Sequence, residues 1–153
     1  MKVKDTSQPE SDQIMKLRQL RKAVKDSVKR FRILVQISES DQLISFYKEK
    51  FNERRAFENQ IVHLLKSFSV RSKSSGSVTG AFVKLHTNLQ VILGKDPDQV
   101  SLTKATYHEE SLLYEYEFAL KQTDYLTDKT SEILEVHAQQ IQADIQRLKA
   151  FDI

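Results

Sequence analysis

Cysteine is absent from the 153 residues, which excludes disulfides and thiolate zinc sites and fits a reducing compartment. Glycine occurs three times and proline twice, too few breakers for the turns of a many-stranded sheet. No apolar run approaches the roughly 20 residues that span a bilayer. Residues Met1 to Glu10 lack the apolar stretch of a secretory signal. The expectation is a cytoplasmic protein with no membrane partner. A phosphate-cradling glycine loop is also missing, as is any recognisable Ser-His-Asp order. Side-chain catalysis has no positive support, and the chain reads as non-enzymatic. What is present is 39% hydrophobic and 29% charged residues in a length suited to one core.

The formal charge of +3 is unevenly spread. Between Asp12 and Val35 eight basic residues (Lys16, Arg18, Arg21, Lys22, Lys25, Lys29, Arg30 and Arg32) face only Asp12 and Asp26. Between Asp98 and Leu120, Lys104 faces Asp98, Glu109, Glu110, Glu115 and Glu117. Either neighbouring helices carry complementary or solvated faces, or the first helix binds an acidic partner such as nucleic acid.

The hydrophobic period is helical. Ile14, Leu17, Val24, Val28, Phe31 and Val35 recur at heptad-like steps, with Arg21 at the missing seam position, and predict a helix from Asp12 to Ile37. Ser7, Pro9 and Glu10 form a capping signal upstream. Residues 1–11 read as a flexible lead-in and residues 12–153 as a single helical domain. Ser38 or Ser40 is placed to cap a second helix, Asp41 to Phe68, whose stripe is Leu43, Phe46/Tyr47, Phe51, Arg54, Phe57, Ile61, Leu64/Leu65 and Phe68. A Ser-rich loop, residues 70–77, leads to a short helical pattern from Val78 to Leu93, ended by Gly94. Asp96-Pro97-Asp98-Gln99 is a strong start signal, with Gln99 at the reciprocal capping position. The next helix runs to about Gln122 through Leu102, Ala105, Glu109, Leu112, Tyr116 and Ala119. The last runs from Asp128 to Ala150 with a seam of Leu134, His137, Ile141, Asp144, Leu148 and Phe151. Two hairpins joined by a long connection describe a four-helix bundle with one crossover. An up-down bundle with an extra arm is the competing topology.

Several of these residues carry a resemblance. Asn52-Glu-Arg-Arg-Ala-Phe-Glu-Asn-Gln-Ile61 resembles the second-helix signature of an uncharacterised bacterial ferritin-like four-helix-bundle family, one of the domain-of-unknown-function families. Gly76-Ser77, Gly80 and His86 resemble its loop and connecting helix. Glu109-Glu110, Tyr116 and Ala119-Leu120 resemble its third long helix. The resemblance covers about Asp12 to Ala150. It implies an all-α ferritin-like bundle with a short extra helix in the crossover, a stress-related setting and no established activity. The family's last helix tends to carry a His-Asp pair where this chain has Ala143-Asp144.

A carboxylate-bridged di-iron centre takes a Glu from each of two helices and Glu-x-x-His from each of the other two. That spacing fails here. The first helix has Arg21 at its polar seam position, Glu58 and His63 are five apart, and Glu135 and His137 are two apart. A lesser iron or zinc site would draw on Glu109, His137 and Asp144. The favoured reading is a buried polar core of Arg21, Arg54, Glu58, Glu109, Tyr116, His137 and Asp144, in which arginine neutralises the acids and fixes helix register. Tyr116, one heptad after Glu109, is expected to join that layer. His86 and His108 read as boundary residues. The functions that follow, in order, are association with itself or a protein partner, degenerate metal binding with iron or zinc, and nucleic-acid binding through the basic first helix. Leu113, Tyr114 and Phe118 offer a second contact face for the first of these.

Overall fold

The computed structural model describes residues 7–68, 96–121 and 125–152. Those residues form four helices and, among them, no strand: α1 (Ser7–Ile37), α2 (Asp41–Ser67), α3 (Pro97–Leu120) and α4 (Asp128–Lys149). The Ser-rich loop, the pattern from Val78 to Leu93, Gly94 and His86 lie outside the described residues. α1 begins at Ser7, upstream of the expected start at Asp12.

Each later helix starts at a side chain that accepts from an otherwise unpaired amide of its first turn, as helix N-termini require. Ser40 accepts from Leu43 N. Asp96 accepts from Asp98 N, with Pro97 at the first helical position. Thr127 accepts from Thr130 N. Ser38, the alternative cap for α2, instead donates to Leu34 O at 2.6 Å. Gln99 is exposed, and its neighbour Asp98 does the joining at this end. The Asp98 carboxylate accepts from Glu39 N at 2.8 Å and from Ser40 N at 3.1 Å.

Those bonds fix the topology. They hold the first turn of α3 against the start of α2, so α3 runs parallel to α2 and antiparallel to α1. At the opposite end Thr127 N donates to Gln13 Oε1 at 2.9 Å, which sets the start of α4 beside the start of α1. α1 packs along α2, α3 along α4, α1 against α3 and α2 against α4. The order around the bundle is therefore α1, α2, α4, α3, with every neighbour antiparallel. The end of α2 and the start of α3 lie at opposite ends of a helix about 40 Å long at ~1.5 Å per residue. One crossover joins the hairpins.

The seams keep strict heptad steps. On α1 the seam positions are Gln13, Leu17, Leu20, Val24, Ser27, Phe31 and Leu34, with Ile33 also buried beside them. Ile14, Val28 and Val35 flank them, half-buried. Arg21 leaves the seam, because Leu20 occupies it. On α2 the seam is Leu43, Tyr47, Lys50, Arg54, Phe57, Ile61 and Leu64, so Lys50 takes the place expected of Phe51. The apolar seam residues form two clusters. One gathers Leu17, Val24, Phe57, Ile61, Leu112, Leu134 and Ile141 with their neighbours. The other gathers Phe31, Leu34, Leu43, Phe46, Tyr47, Ala105 and Leu148 with theirs. Burying each such Leu, Ile or Phe contributes roughly 1.5–3 kcal/mol. Between the clusters every helix contributes polar groups: Ser27 from α1, Lys50 and Arg54 from α2, Glu109 from α3 and Asp144 from α4.

Candidate functional site: a buried ionic layer

Arg54 and Asp144 are completely buried, Lys50 is 1% exposed and Glu109 2%. Burying a charge is costly unless it is paired and hydrogen-bonded. Here the pairing is two against two. Arg54 Nη2 donates to Glu109 Oε2 at 2.5 Å and to Asp144 Oδ2 at 2.8 Å. Lys50 Nζ lies 2.7 Å from Asp144 Oδ1. Ser27 Oγ donates to the second Glu109 oxygen at 3.0 Å, and Gln140 Nε2 donates to Asp144 Oδ1 at 3.2 Å. Toward the rim, Glu53 accepts from Lys50 at 2.7 Å and from Arg54 Nη1 at 2.9 Å. Both core carboxylates are thus occupied on both oxygens by protein donors. The Arg54 guanidinium lies 5.0 Å from the Phe57 ring centroid and 5.9 Å from that of Phe31, within cation–π reach of each. Arg54 Nε finds no partner among the described residues.

The titration behaviour follows from these contacts. Burial works against the charge on Arg54, but Glu109 and Asp144 outweigh it and raise its pKa. The Lys50 ammonium is likewise held charged: burial opposes it, and Asp144, Glu53 and Glu49 overcome that. Burial pushes the Glu109 carboxyl upward, with Arg54 and Ser27 pulling the other way.

A second polar group lies one heptad from the ionic layer, about 10 Å along the helices. Tyr116 OH is 2.9 Å from His137 Nδ1, and His137 Nε2 meets Gln60 Oε1. The imidazole stacks on Phe57 with centroids 3.9 Å apart. With the Gln60 carbonyl facing Nε2, Nε2 carries the proton and donates, while Nδ1 accepts from the tyrosine. Burial, then Arg54, lowers the His137 pKa to about 4, so the ring is neutral at pH 7. Burial raises that of the Tyr116 hydroxyl. Elsewhere Tyr47 OH bonds Ser101 Oγ at 2.9 Å, and burial pushes its pKa up to about 12.

The sequence-level candidates therefore separate. Arg54, Glu109 and Asp144 come together. His137 and Tyr116 pair with each other in a different layer, so the three residues expected to offer a metal site do not converge. Among the described residues no group of three His, Asp or Glu is arranged to hold a metal ion. Both His137 ring nitrogens are engaged, and Arg54 lies between the two acids. Arg21 and Glu58 form a half-buried pair at the α1–α2 boundary, 3.9 Å apart, outside the layer. His108 is half-buried on α3, its pKa lowered to about 4 by burial and by Arg30 and Lys104. Lys50, Ser27 and Gln60 were not foreseen. Strict 3-4 stepping through Leu43, Tyr47, Arg54 and Phe57 marks position 50, and the same stepping on α1 marks position 27.

Fold and site together define a four-helix bundle with a charge-balanced ionic layer across its middle. The chain belongs to the family described as Domain of unknown function (DUF2383), whose sequence pattern matches residues 12–122. The match takes in Arg54 and Glu109, while α4, with His137 and Asp144, lies beyond it. Comparison with curated proteins and with solved structures returns no match. Among the described residues no helix is long and apolar enough to cross a membrane.

Proposed function

We propose that the protein is a non-enzymatic bundle of ferritin-like topology that acts by association, with a second copy of itself or with a protein partner. The helix order and the single crossover support the ferritin-like reading. The polar layer supports the non-enzymatic one, because its donors and acceptors are turned on one another inside the core. The observation that carries association is the outer face of α3. Tyr107, Tyr114 and Phe118 are 66%, 64% and 48% exposed, and their spacing of seven and four residues puts them on one stripe. Tyr114 stacks on Phe118 with centroids 6.4 Å apart, a ready-made aromatic surface of the kind enriched in interfaces. Leu113 lies half-buried beside it.

Sedimentation velocity between about 10 and 500 μM tests this, because weak helix-face contacts fall in the micromolar range. The wild type should sediment faster as concentration rises, or retain a protein partner on a column. The double variant Tyr114→Ser, Phe118→Ser should do neither, while melting within about 0.5 kcal/mol of the wild type as exposed sites do. A strictly monomeric wild type that retains no partner contradicts the proposal.

A further inference from the structure

Most of the cations along the outer stripe of α1 have no acid within ion-pair reach among the described residues. Arg18, Lys22, Lys25, Lys29 and Arg32 follow at steps of four, three, four and three residues, so they share one outer stripe of α1, about 21 Å long at ~1.5 Å per residue. Arg18, Lys22 and Arg32 are exposed. Of the five, Lys29 alone has an acid within ion-pair reach among the described residues, Asp26 at 3.6 Å. The acids of α3 do not reach this stripe. Glu110 pairs with Lys149 of α4 instead, at 2.8 Å. Residues 69–95 contain no Asp or Glu to serve in their place.

The stripe runs into a groove of about 330 Å³ between α1 and α2, lined by Arg32, Val35, Gln36, Lys48, Phe51 and Asn52. Its floor is apolar and aromatic, its rim carries two cations, and two side-chain amides offer both donors and acceptors. The Arg55 guanidinium lies 5.7 Å from the Phe51 ring centroid, adding a third cation.

We propose that this face binds single-stranded nucleic acid, with phosphates along the α1 stripe and a base held against Phe51 between Gln36 and Asn52. A cationic track beside an aromatic platform is what single strands require, since every base has a face to stack and every nucleotide a phosphate. An anionic membrane fits less well. A helix that lies on lipid inserts large apolar side chains beside its cations. Among the described residues Met15 is the sole exposed large hydrophobic group on α1, and α2 has none.

The test is fluorescence anisotropy of the full chain with a labelled oligodeoxythymidylate, a duplex of equal length, and vesicles containing phosphatidylserine. For about five phosphate contacts the single-strand affinity should fall roughly 100-fold between about 50 and 200 mM salt. Arg18→Glu, Lys25→Glu and Arg32→Glu together should weaken it at least as much, with the melting temperature as a check that the bundle is intact. Phe51→Leu should weaken single-strand binding roughly 10-fold and leave duplex binding unchanged. No binding at the lower salt, wild-type binding by the charge-reversed variant, or equal or tighter binding to duplex or vesicles would overturn the proposal. These outcomes are independent of the α3 face, which belongs to the other hairpin.

Discussion

Arg54→Met should lower the unfolding free energy at pH 7 by about 3–5 kcal/mol, the cost of removing one partner from a buried ion pair. Against the roughly 5–15 kcal/mol that holds a domain of this size, that is enough to leave part of the population unfolded. The loss is unevenly distributed, which makes the prediction specific. Asp144 keeps Lys50 and Gln140 as donors, whereas Glu109 keeps only Ser27. Adding Glu109→Gln to Arg54→Met should therefore recover at least half the loss, and adding Asp144→Asn should recover little, because it strips Lys50 of its buried counter-charge. The penalty should also depend on pH. Burial already raises the Glu109 pKa, and loss of Arg54 raises it further. A carboxyl raised above its unfolded value favours the folded state at low pH and disfavours it as pH rises through the folded value. Urea unfolding should show a smaller gap between Arg54→Met and wild type at pH 5 than at pH 8. A gap that grows on acidification contradicts this assignment.

His137, together with His108, should shape the acid limb of the stability curve. The His137 pKa is lowered from 6.5 to about 4, so the unfolded chain binds a proton that the folded one refuses. The stabilising contribution is complete above pH 6.5 and is lost as pH falls toward 4, about 3 kcal/mol in all at ~1.36 kcal/mol per unit. In the folded protein the His137 ring proton resonances should stay unmoved from pH 8 to pH 5. His137→Gln should be less stable than wild type at pH 7 and should lose less on acidification to pH 4.5. A ring that titrates above pH 6 would mean that burial and Arg54 do not control the site.

The starts of α2, α3 and α4 were legible because they rest on local signals. Apolar steps of three and four, Asp96-Pro97 and the Ser38–Asp41 break each act within a few residues of themselves. The pairing of Arg54 with Glu109 and Asp144 was legible for another reason: a charge at a seam position must find its opposite inside. Lys50 was not, because lysine ordinarily lies on the surface and Phe51 beside it offered a more conventional core residue. Register settles between them, and register is a property of the whole helix. Arg21 was misplaced by the same uncertainty, since Gln13 and Ser27 are polar residues at true seam positions and disguise the stripe on α1. Tyr116 was expected beside Glu109 because they lie one heptad apart. The structure uses that heptad as a separation, so the tyrosine meets His137 from α4. Which helices face each other decides that, and no local pattern carries it. The crossover, too, depends on tertiary bonds from Asp98 and Gln13.

If the ionic layer serves packing and register alone, it can be exchanged for an apolar one. The decisive comparison is chemical unfolding of the fourfold variant Lys50→Met, Arg54→Met, Glu109→Leu, Asp144→Leu beside Arg54→Met alone, with far-ultraviolet circular dichroism and sedimentation on each. A fourfold variant that keeps its helical signal and association state, and unfolds at or above the wild-type denaturant midpoint, is expected, since apolar replacement of a complete buried ionic set is neutral to about 4 kcal/mol stabilising. A fourfold variant as unstable as Arg54→Met, or one that folds fully yet no longer associates, would show that the charges do more than hold one another.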